Sequence, residues 1–125
     1  MQKVKFDLED RLIKFACLSL EICDLLPLTK AAQNLSFQLS KSATASALIY
    51  GEAQAAESNA DFIHKLKMTL KELRETRVNL RIIKEKPITK NELINQVLNE
   101  ANELIAIFIK SILTSKTKQT SSKLI

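Results

Sequence analysis

Hydrophobic residues recur every three or four positions along most of this chain, a spacing that places them on one side of an α-helix. Four segments carry the pattern, with polar residues between the apolar positions. The pattern predicts helices over residues 8–26, 30–54, 59–84 and 90–114. Residues 115–125 are polar and basic without periodicity, which predicts a flexible basic tail.

Short polar residues and two prolines separate the four segments. Pro27 ends the first and Pro87 ends the third, because proline cannot continue a helix. The predicted N-cap residues, whose side chains accept hydrogen bonds from free backbone N–H groups, are Asp7, Thr29, Ser58 and Thr89. Four amphipathic helices with short connections predict an all-α fold, an antiparallel up-down-up-down four-helix bundle over residues 1–114.

The composition agrees with this architecture. A length of 125 residues fits one domain, and one Gly with two Pro is too few for a turn-rich β fold. Cys17 and Cys23 lie about 9 Å apart along the predicted first helix, so we expect buried free thiols and no disulfide. No apolar run approaches the ~20 residues of a membrane span, and the opening residues are polar, which predicts a cytosolic protein.

Residue types that carry catalysis are scarce. One glycine cannot build a phosphate-binding loop, and His64 is the only histidine available for metal binding or nucleophile activation. We therefore expect no enzymatic activity, no metal, no cofactor and no small-molecule substrate.

The fourth predicted helix carries more apolar residues than one buried face requires. The stretch from Leu104 to Ile109 is apolar almost all the way round, and a monomer rarely exposes such a surface. Deep burial inside one subunit is the alternative, but a small bundle has little room for it. The residues predicted to form a contact between copies in a homo-oligomer are Leu93, Leu104, Ile107, Ile109 and Leu113.

Basic residues form a row on the predicted third helix. At about 100° per residue, Lys67, Lys71, Arg74 and Arg81 share an arc of roughly 80° opposite the apolar face, and Arg77 and Lys84 flank it. Such a row can track phosphates without reading sequence. A solvated face is the alternative interpretation for a monomer, whereas repetition in an oligomer concentrates the positive charge. The net charge is +5.

Several short motifs between Ser40 and Ile83 resemble one protein family, the bacterial intervening-sequence proteins. The matching segments are Lys41-Ser42-Ala43-Thr44, Tyr50-Gly51-Glu52-Ala53-Gln54, Ala56-Glu57-Ser58, Asp61-Phe62-Ile63-His64-Lys65-Leu66, Leu70-Lys71-Glu72 and Glu75-Thr76. Some members of this family are encoded inside insertions of large-subunit ribosomal RNA genes. The resemblance implies an antiparallel four-helix bundle that assembles into rings, typically pentamers, without an active site.

A related branch, the accessory variability protein of diversity-generating retroelements, looks like a positively charged pentameric barrel that partners a reverse transcriptase and its RNA. The sequence therefore predicts a homo-oligomer that binds structured RNA or DNA through the row on the third helix. The alternative is a scaffold that docks a partner protein, such as a reverse transcriptase, without contacting nucleic acid.

Overall fold

A computed structural model describes residues 7–124 of the chain, with side chains to residue 120. It contains four helices, and the described residues include no strand. The helices are α1 (Leu8–Leu25), α2 (Lys30–Ala53), α3 (Asn59–Glu85) and α4 (Leu93–Leu124). Each helix packs against the one before and after it in sequence, and α4 returns to contact α1. The predicted all-α four-helix bundle is confirmed.

Three of the four predicted N-caps are confirmed. The Asp7 carboxylate accepts from the Asp10 backbone N–H at 3.1 Å, the Thr29 hydroxyl from Ala32 at 3.2 Å, and the Ser58 hydroxyl from Asp61 at 3.0 Å. These bonds satisfy N–H groups that have no partner within the helix.

The start of α4 differs from the prediction. The helix begins at Leu93 rather than Lys90, and Asn91 replaces Thr89 as the capping residue, since its Oδ1 accepts from the Leu93 N–H at 2.8 Å. The end differs as well. α4 continues to Leu124, so the predicted loss of helical structure after about Thr114 is corrected over residues 115–124, and residue 125 lies outside the described part.

The core lies along the axis of the bundle and receives the predicted apolar stripe of every helix. Its largest fully buried side chains are Phe15, Phe108, Leu12, Ile22, Leu39, Leu66, Leu73, Leu80, Ile83, Leu104 and Val97. Five hydroxyl residues are buried with them, and each hydroxyl contacts a carbonyl three or four residues earlier on its own helix. Hydroxyl groups at these positions therefore occupy the core without losing hydrogen bonds.

Both cysteines are free, as predicted, but their expected burial is only partly correct. Cys23 is half-buried and its Sγ donates to the Ser36 carbonyl at 3.4 Å, whereas Cys17 is exposed on the outer side of α1. The reason is periodicity. Cys23 falls on the apolar stripe of α1 that faces the core, and Cys17 falls on the opposite side between Ile13 and Leu20.

Candidate nucleic-acid interface

The predicted basic row lies on the outer side of α3. Its exposed members are Lys67, Lys71, Arg74, Arg81 and Lys84, and Arg77 is half-buried. The apolar stripe of α3 that includes Leu66, Leu73 and Leu80 faces the core, so the bundle directs the basic side chains to solvent. All six predicted residues therefore share one helix and one side of the molecule.

Neighbouring carboxylates neutralise only part of the row. Lys71 Nζ lies 3.8 Å from a Glu75 oxygen, and Arg81 Nη2 lies 3.1 Å from a Glu85 oxygen. Both pairs are exposed and one helical turn apart, a setting in which an ion pair contributes little. Within the described residues, no ion pair involves the remaining members Lys67, Arg74, Arg77 and Lys84. Four of the six cations therefore lack a carboxylate partner.

On the opposite flank of α3 from the basic row lies a half-buried carboxylate, Glu72, whose pKa is raised. Burial raises the pKa of Glu72, the charge of Glu75 raises it further, and Lys71 with Lys41 acts in the opposite direction. Glu72 is half-buried, and Lys71 of the row is among the charges that act on it.

The row borders two grooves of different chemistry. The α2–α3 groove has a volume of about 710 Å³ and runs along α3 from Lys67 to Ile82, with Asn34, Leu35 and Gln38 of α2 on its other side. The walls of this groove are largely apolar. Lys67, Lys71 and Arg74 lie on its rim, so half of the basic row adjoins an apolar surface.

The second groove lies between α3 and α4 and is polar. Its volume is about 560 Å³, and it is lined by Arg77, Arg81 and Lys84 together with amide side chains of α4. Arg77 Nη1 donates to the Asn102 Oδ1 at 3.2 Å, and Asn99 lies alongside. Guanidinium, ammonium and amide groups are the donors that proteins direct to phosphate and sugar oxygens.

Sequence reasoning missed two features of this surface. Val78 and Ile82 are 53% and 46% exposed within the α2–α3 groove, beside the basic side chains. A helical projection of α3 places both between the basic residues and so contained this signal. No sequence pattern indicated that Asn99 and Asn102 line this surface, because their position depends on how α4 packs beside α3.

The predicted contact surface on α4 is smaller than expected. Leu104 is fully buried in the core of the single chain, so its assignment to an oligomer contact is wrong. Leu93 packs against the core, Ile107 is half-buried, and Ile109 and Leu113 are 38% and 60% exposed. The bundle buries α4 on a wider arc than one stripe because α3 covers one flank of it and α1 the other.

Groups with metal-site chemistry do not gather in the described part of the chain. Residues 7–124 contain no cluster of three or more His, Cys, Asp or Glu side chains, and His64 is exposed on α3. None of the helices in that range has both the length and the hydrophobicity needed to cross a membrane.

These observations define the class: a four-helix-bundle protein with a basic surface on its third helix. The 23S rRNA-intervening sequence proteins match residues 6–110 of the chain. The chain belongs to this family, and the resemblance noted from short motifs is confirmed.

A solved structure agrees with this assignment. The crystal structure, at 1.70 Å resolution, of a protein of unknown function from the S23 ribosomal protein family of Bacteroides thetaiotaomicron VPI-5482 superposes with a TM-score of 0.78. The two chains are 27% identical over 85% of this chain and 98% of that chain. Among curated proteins, none matches this sequence. The relation to the accessory variability protein of retroelements stays a prediction.

Proposed function

We propose that this protein is a non-enzymatic homo-oligomer that binds the phosphate backbone of structured RNA or DNA through the basic row of α3. One observation carries the proposal: six basic side chains share the outer side of one helix, and four of them lack a carboxylate partner among the described residues. Cations without partners neutralise phosphates at no cost in broken ion pairs, and the counterions released from the nucleic acid favour binding.

The chemistry of the row favours contacts with the backbone over contacts with bases. Base readout on single strands relies on several exposed aromatic rings, on which successive bases stack. Among the described residues Phe37 is the one exposed aromatic side chain, and Tyr50 packs edge-on against Phe108 with ring centres 5.5 Å apart. The polar α3–α4 groove supplies the cations and amides of Arg77, Arg81, Lys84, Asn99 and Asn102. Such groups fix a duplex in position and carry little sequence information.

Membership of a family named for an insertion in ribosomal RNA supports an RNA-related role. In a homo-oligomer, each added copy repeats the row and concentrates the positive charge of +5 per chain. The ring of five copies that the family resemblance implies, and the cytosolic location expected from the sequence, stay predictions.

Retention of a labelled RNA duplex on the purified protein tests the proposal. The variant Lys67→Gln/Lys71→Gln/Arg74→Gln/Arg81→Gln removes four cations of the row and is expected to abolish retention at moderate salt. The matched control Lys14→Gln/Lys30→Gln/Lys90→Gln/Lys110→Gln removes four exposed cations elsewhere and is expected to keep most of the binding. Circular dichroism verifies that the helices of each variant remain. Light scattering compares its mass with that of the wild type, because Lys67, Lys71 and Arg74 also line the α2–α3 groove.

Equal retention by the row variant and the wild type would contradict the proposal. Binding to DNA is measured in parallel, with the same variants. A partner protein that stays bound after nuclease treatment and in high salt, with no retention of RNA or DNA, would favour the docking scaffold instead.

A further inference from the structure

Exposed apolar side chains of this chain collect on α1 as well as in the α2–α3 groove. On α1, Ile13 and Leu20 are 45% and 41% exposed, and Cys17 is exposed between them. Spacings of four and three residues place these three side chains in one line on the outer side of the helix. We call this line, Ile13 with Cys17 and Leu20, the α1 stripe.

Exposed acidic residues accompany the α1 stripe. Asp10 lies at one end, and Glu21 and Asp24 lie at the other, all exposed to solvent. No ion pair within the described residues involves any of these three carboxylates. The outer side of α1 therefore carries a short apolar line with exposed carboxylates at both of its ends.

The α2–α3 groove has the complementary chemistry. Its lining includes the apolar side chains Leu70, Val78 and Ile82, the cations Lys67, Lys71 and Arg74, and one carboxylate, Glu75, which lies 3.8 Å from Lys71 Nζ. Cations therefore outnumber carboxylates in the groove by three to one. An apolar helix face laid in an apolar groove, with opposite charges along the edges, is a recurrent mode of helix recognition.

The α1 stripe together with its acidic ends matches the length of the groove. At 1.5 Å per residue, Ile13 to Leu20 spans about 10 Å, Asp10 to Asp24 spans about 21 Å, and the groove from Lys67 to Ile82 spans about 22 Å. Acidic residues occur at both ends of the α1 stripe. At the far end of the groove Lys86 adds positive charge, whereas the charge of Arg81 is offset by its pair Glu85.

One chain cannot join its own two surfaces. α1 contacts α2 and α4 but not α3, so the outer side of α1 and the α2–α3 groove lie on different sides of the bundle. We propose that the α1 stripe of one copy docks in the α2–α3 groove of a second copy. Because two different surfaces meet, each copy keeps a free stripe or groove until a ring closes.

This inference rests on the self-association in the proposed function and assigns surfaces to it. It gives the basic row two roles. Lys67, Lys71 and Arg74 pair with carboxylates of the neighbouring copy, whereas Arg77 and Lys84 face the polar α3–α4 groove and stay open to phosphates. The contact between copies moves from α4, where the sequence placed it, to α1, α2 and α3.

Charge reversal with rescue tests the docking. Glu21→Lys/Asp24→Lys and, separately, Lys67→Glu/Lys71→Glu are each expected to raise the concentration at which the oligomer dissociates by about tenfold or more. The four substitutions combined restore opposite charges and are expected to restore the oligomer mass. Glu57→Lys, which changes an exposed carboxylate outside both surfaces, is the control for added charge. Light scattering reports the masses.

The exposed Cys17 provides a direct probe. Arg74→Cys places a thiol midway along the groove, and Cys17 is midway along the stripe, so the two approach whichever way α1 points. Mild oxidation is expected to link the copies covalently through Cys17 and the new thiol. The links are expected to vanish in Cys17→Ser/Arg74→Cys. Lys110→Cys, which lies outside the groove, is expected to give no such link.

Three results would overturn the docking: a 14.1 kDa particle at high concentration, reversal variants with unchanged mass, or an oligomer that only Leu113→Glu on α4 dissociates. RNA retention separates this failure from failure of the proposed function. Arg77→Gln/Arg81→Gln/Lys84→Gln is expected to keep the oligomer mass and lose RNA. If that loss persists while the reversal variants leave the mass unchanged, the docking is wrong and nucleic-acid binding stands.

Discussion

Two hydroxyl groups meet inside the bundle, where Ser42 of α2 lies 2.8 Å from the Thr76 hydroxyl of α3. Thr76 also contacts the Glu72 carbonyl at 2.9 Å and Ser42 the Leu39 carbonyl at 3.4 Å, so each hydroxyl has one carbonyl and one hydroxyl partner. Both residues are almost fully buried. This pair is a polar contact between helices in an otherwise apolar core.

Removing one hydroxyl of this pair is expected to lower the free energy of unfolding by more than half of the loss caused by removing both. Thr76→Val keeps the shape and is expected to lower the free energy of unfolding by about 1 kcal/mol, and Ser42→Ala by a similar amount. The double variant is expected to lose less than the sum, because no hydroxyl is left without its partner. Urea unfolding at one fixed protein concentration measures all four chains. Additive losses would show that the two hydroxyls do not interact.

The two thiols are expected to react at different rates. Burial raises the pKa of Cys23, which leaves less thiolate at pH 8, and the half-buried position slows access further. In dilute protein, a thiol reagent is expected to modify the exposed Cys17 first. Cys17→Ser is expected to remove the fast phase only, and the slow phase is expected to keep rising at pH values where an ordinary thiol has levelled off. A single fast phase from both thiols would contradict the burial of Cys23.

At the scale of the helices, periodicity predicted what is local. A single stripe on each helix identified the core-facing residues, and Asp7, Thr29 and Ser58 capped where their chemistry predicts. The predicted start of α4 is wrong because Ile88 packs against the core and its N–H donates to the Ile83 carbonyl at 2.8 Å. This contact extends the turn after α3 and moves the helix start past Thr89.

The candidate site was predicted less completely than the fold, because grooves belong to pairs of helices. A projection of α3 alone gave the basic row but not its division between an apolar and a polar groove. Likewise, a projection of α4 alone assigned Leu104 to the surface. Contacts from the flanking helices bury it, and no pattern within α4 carries that information.

A paired arginine joins α1 to α4. Arg11 donates from Nε and Nη2 to the Glu100 carboxylate at 2.6 and 2.9 Å, and its Nη2 also donates to Glu103 at 2.7 Å. The hydrogen bond that Arg11 donates to Glu100 is the main cause that raises the pKa of Arg11. The two side chains of the closest pair are 27% and 24% exposed, so solvent screens this contact less than the pairs on α3.

Loss of this contact is expected to destabilise the bundle modestly. Arg11→Gln is expected to lower the free energy of unfolding by about 1 kcal/mol, and Arg11→Lys to recover only part, because an ammonium cannot form the two parallel bonds. Arg81→Gln, which breaks an exposed pair on α3, is expected to cost less than about 0.5 kcal/mol. Urea unfolding measures the variants. Equal losses of unfolding free energy in Arg11→Gln and Arg81→Gln would mean that the Arg11–Glu100 contact stabilises the protein no more than an exposed ion pair does.

For the whole molecule, the charge is distributed unevenly. The excess of 19 basic over 14 acidic residues conceals an α1 with exposed carboxylates on one side and an α3 with exposed cations on another. Copies that join α1 to α3 place these opposite charges together, and the cations beside the polar α3–α4 groove are left facing solvent. In the proposed assembly, a modest net charge per chain becomes a repeated positive surface.

The dependence of DNA affinity on salt concentration measures how many copies of the basic row contact one duplex. A single copy presents all six cations of the row, so its slope of log affinity against log salt is about −5 at most on duplex DNA, since each neutralised phosphate contributes about −0.9. An oligomer that holds one duplex across several copies is expected to give a steeper slope than this limit. Ile13→Ser/Leu20→Ser removes the α1 stripe without changing charge, and it is expected to reduce both the mass and the slope. This variant could instead be monomeric and keep the slope of the wild type. Equal slopes would mean that monomer and oligomer release the same number of counterions. Each copy would then bind DNA independently, and the proposed role of assembly would be wrong.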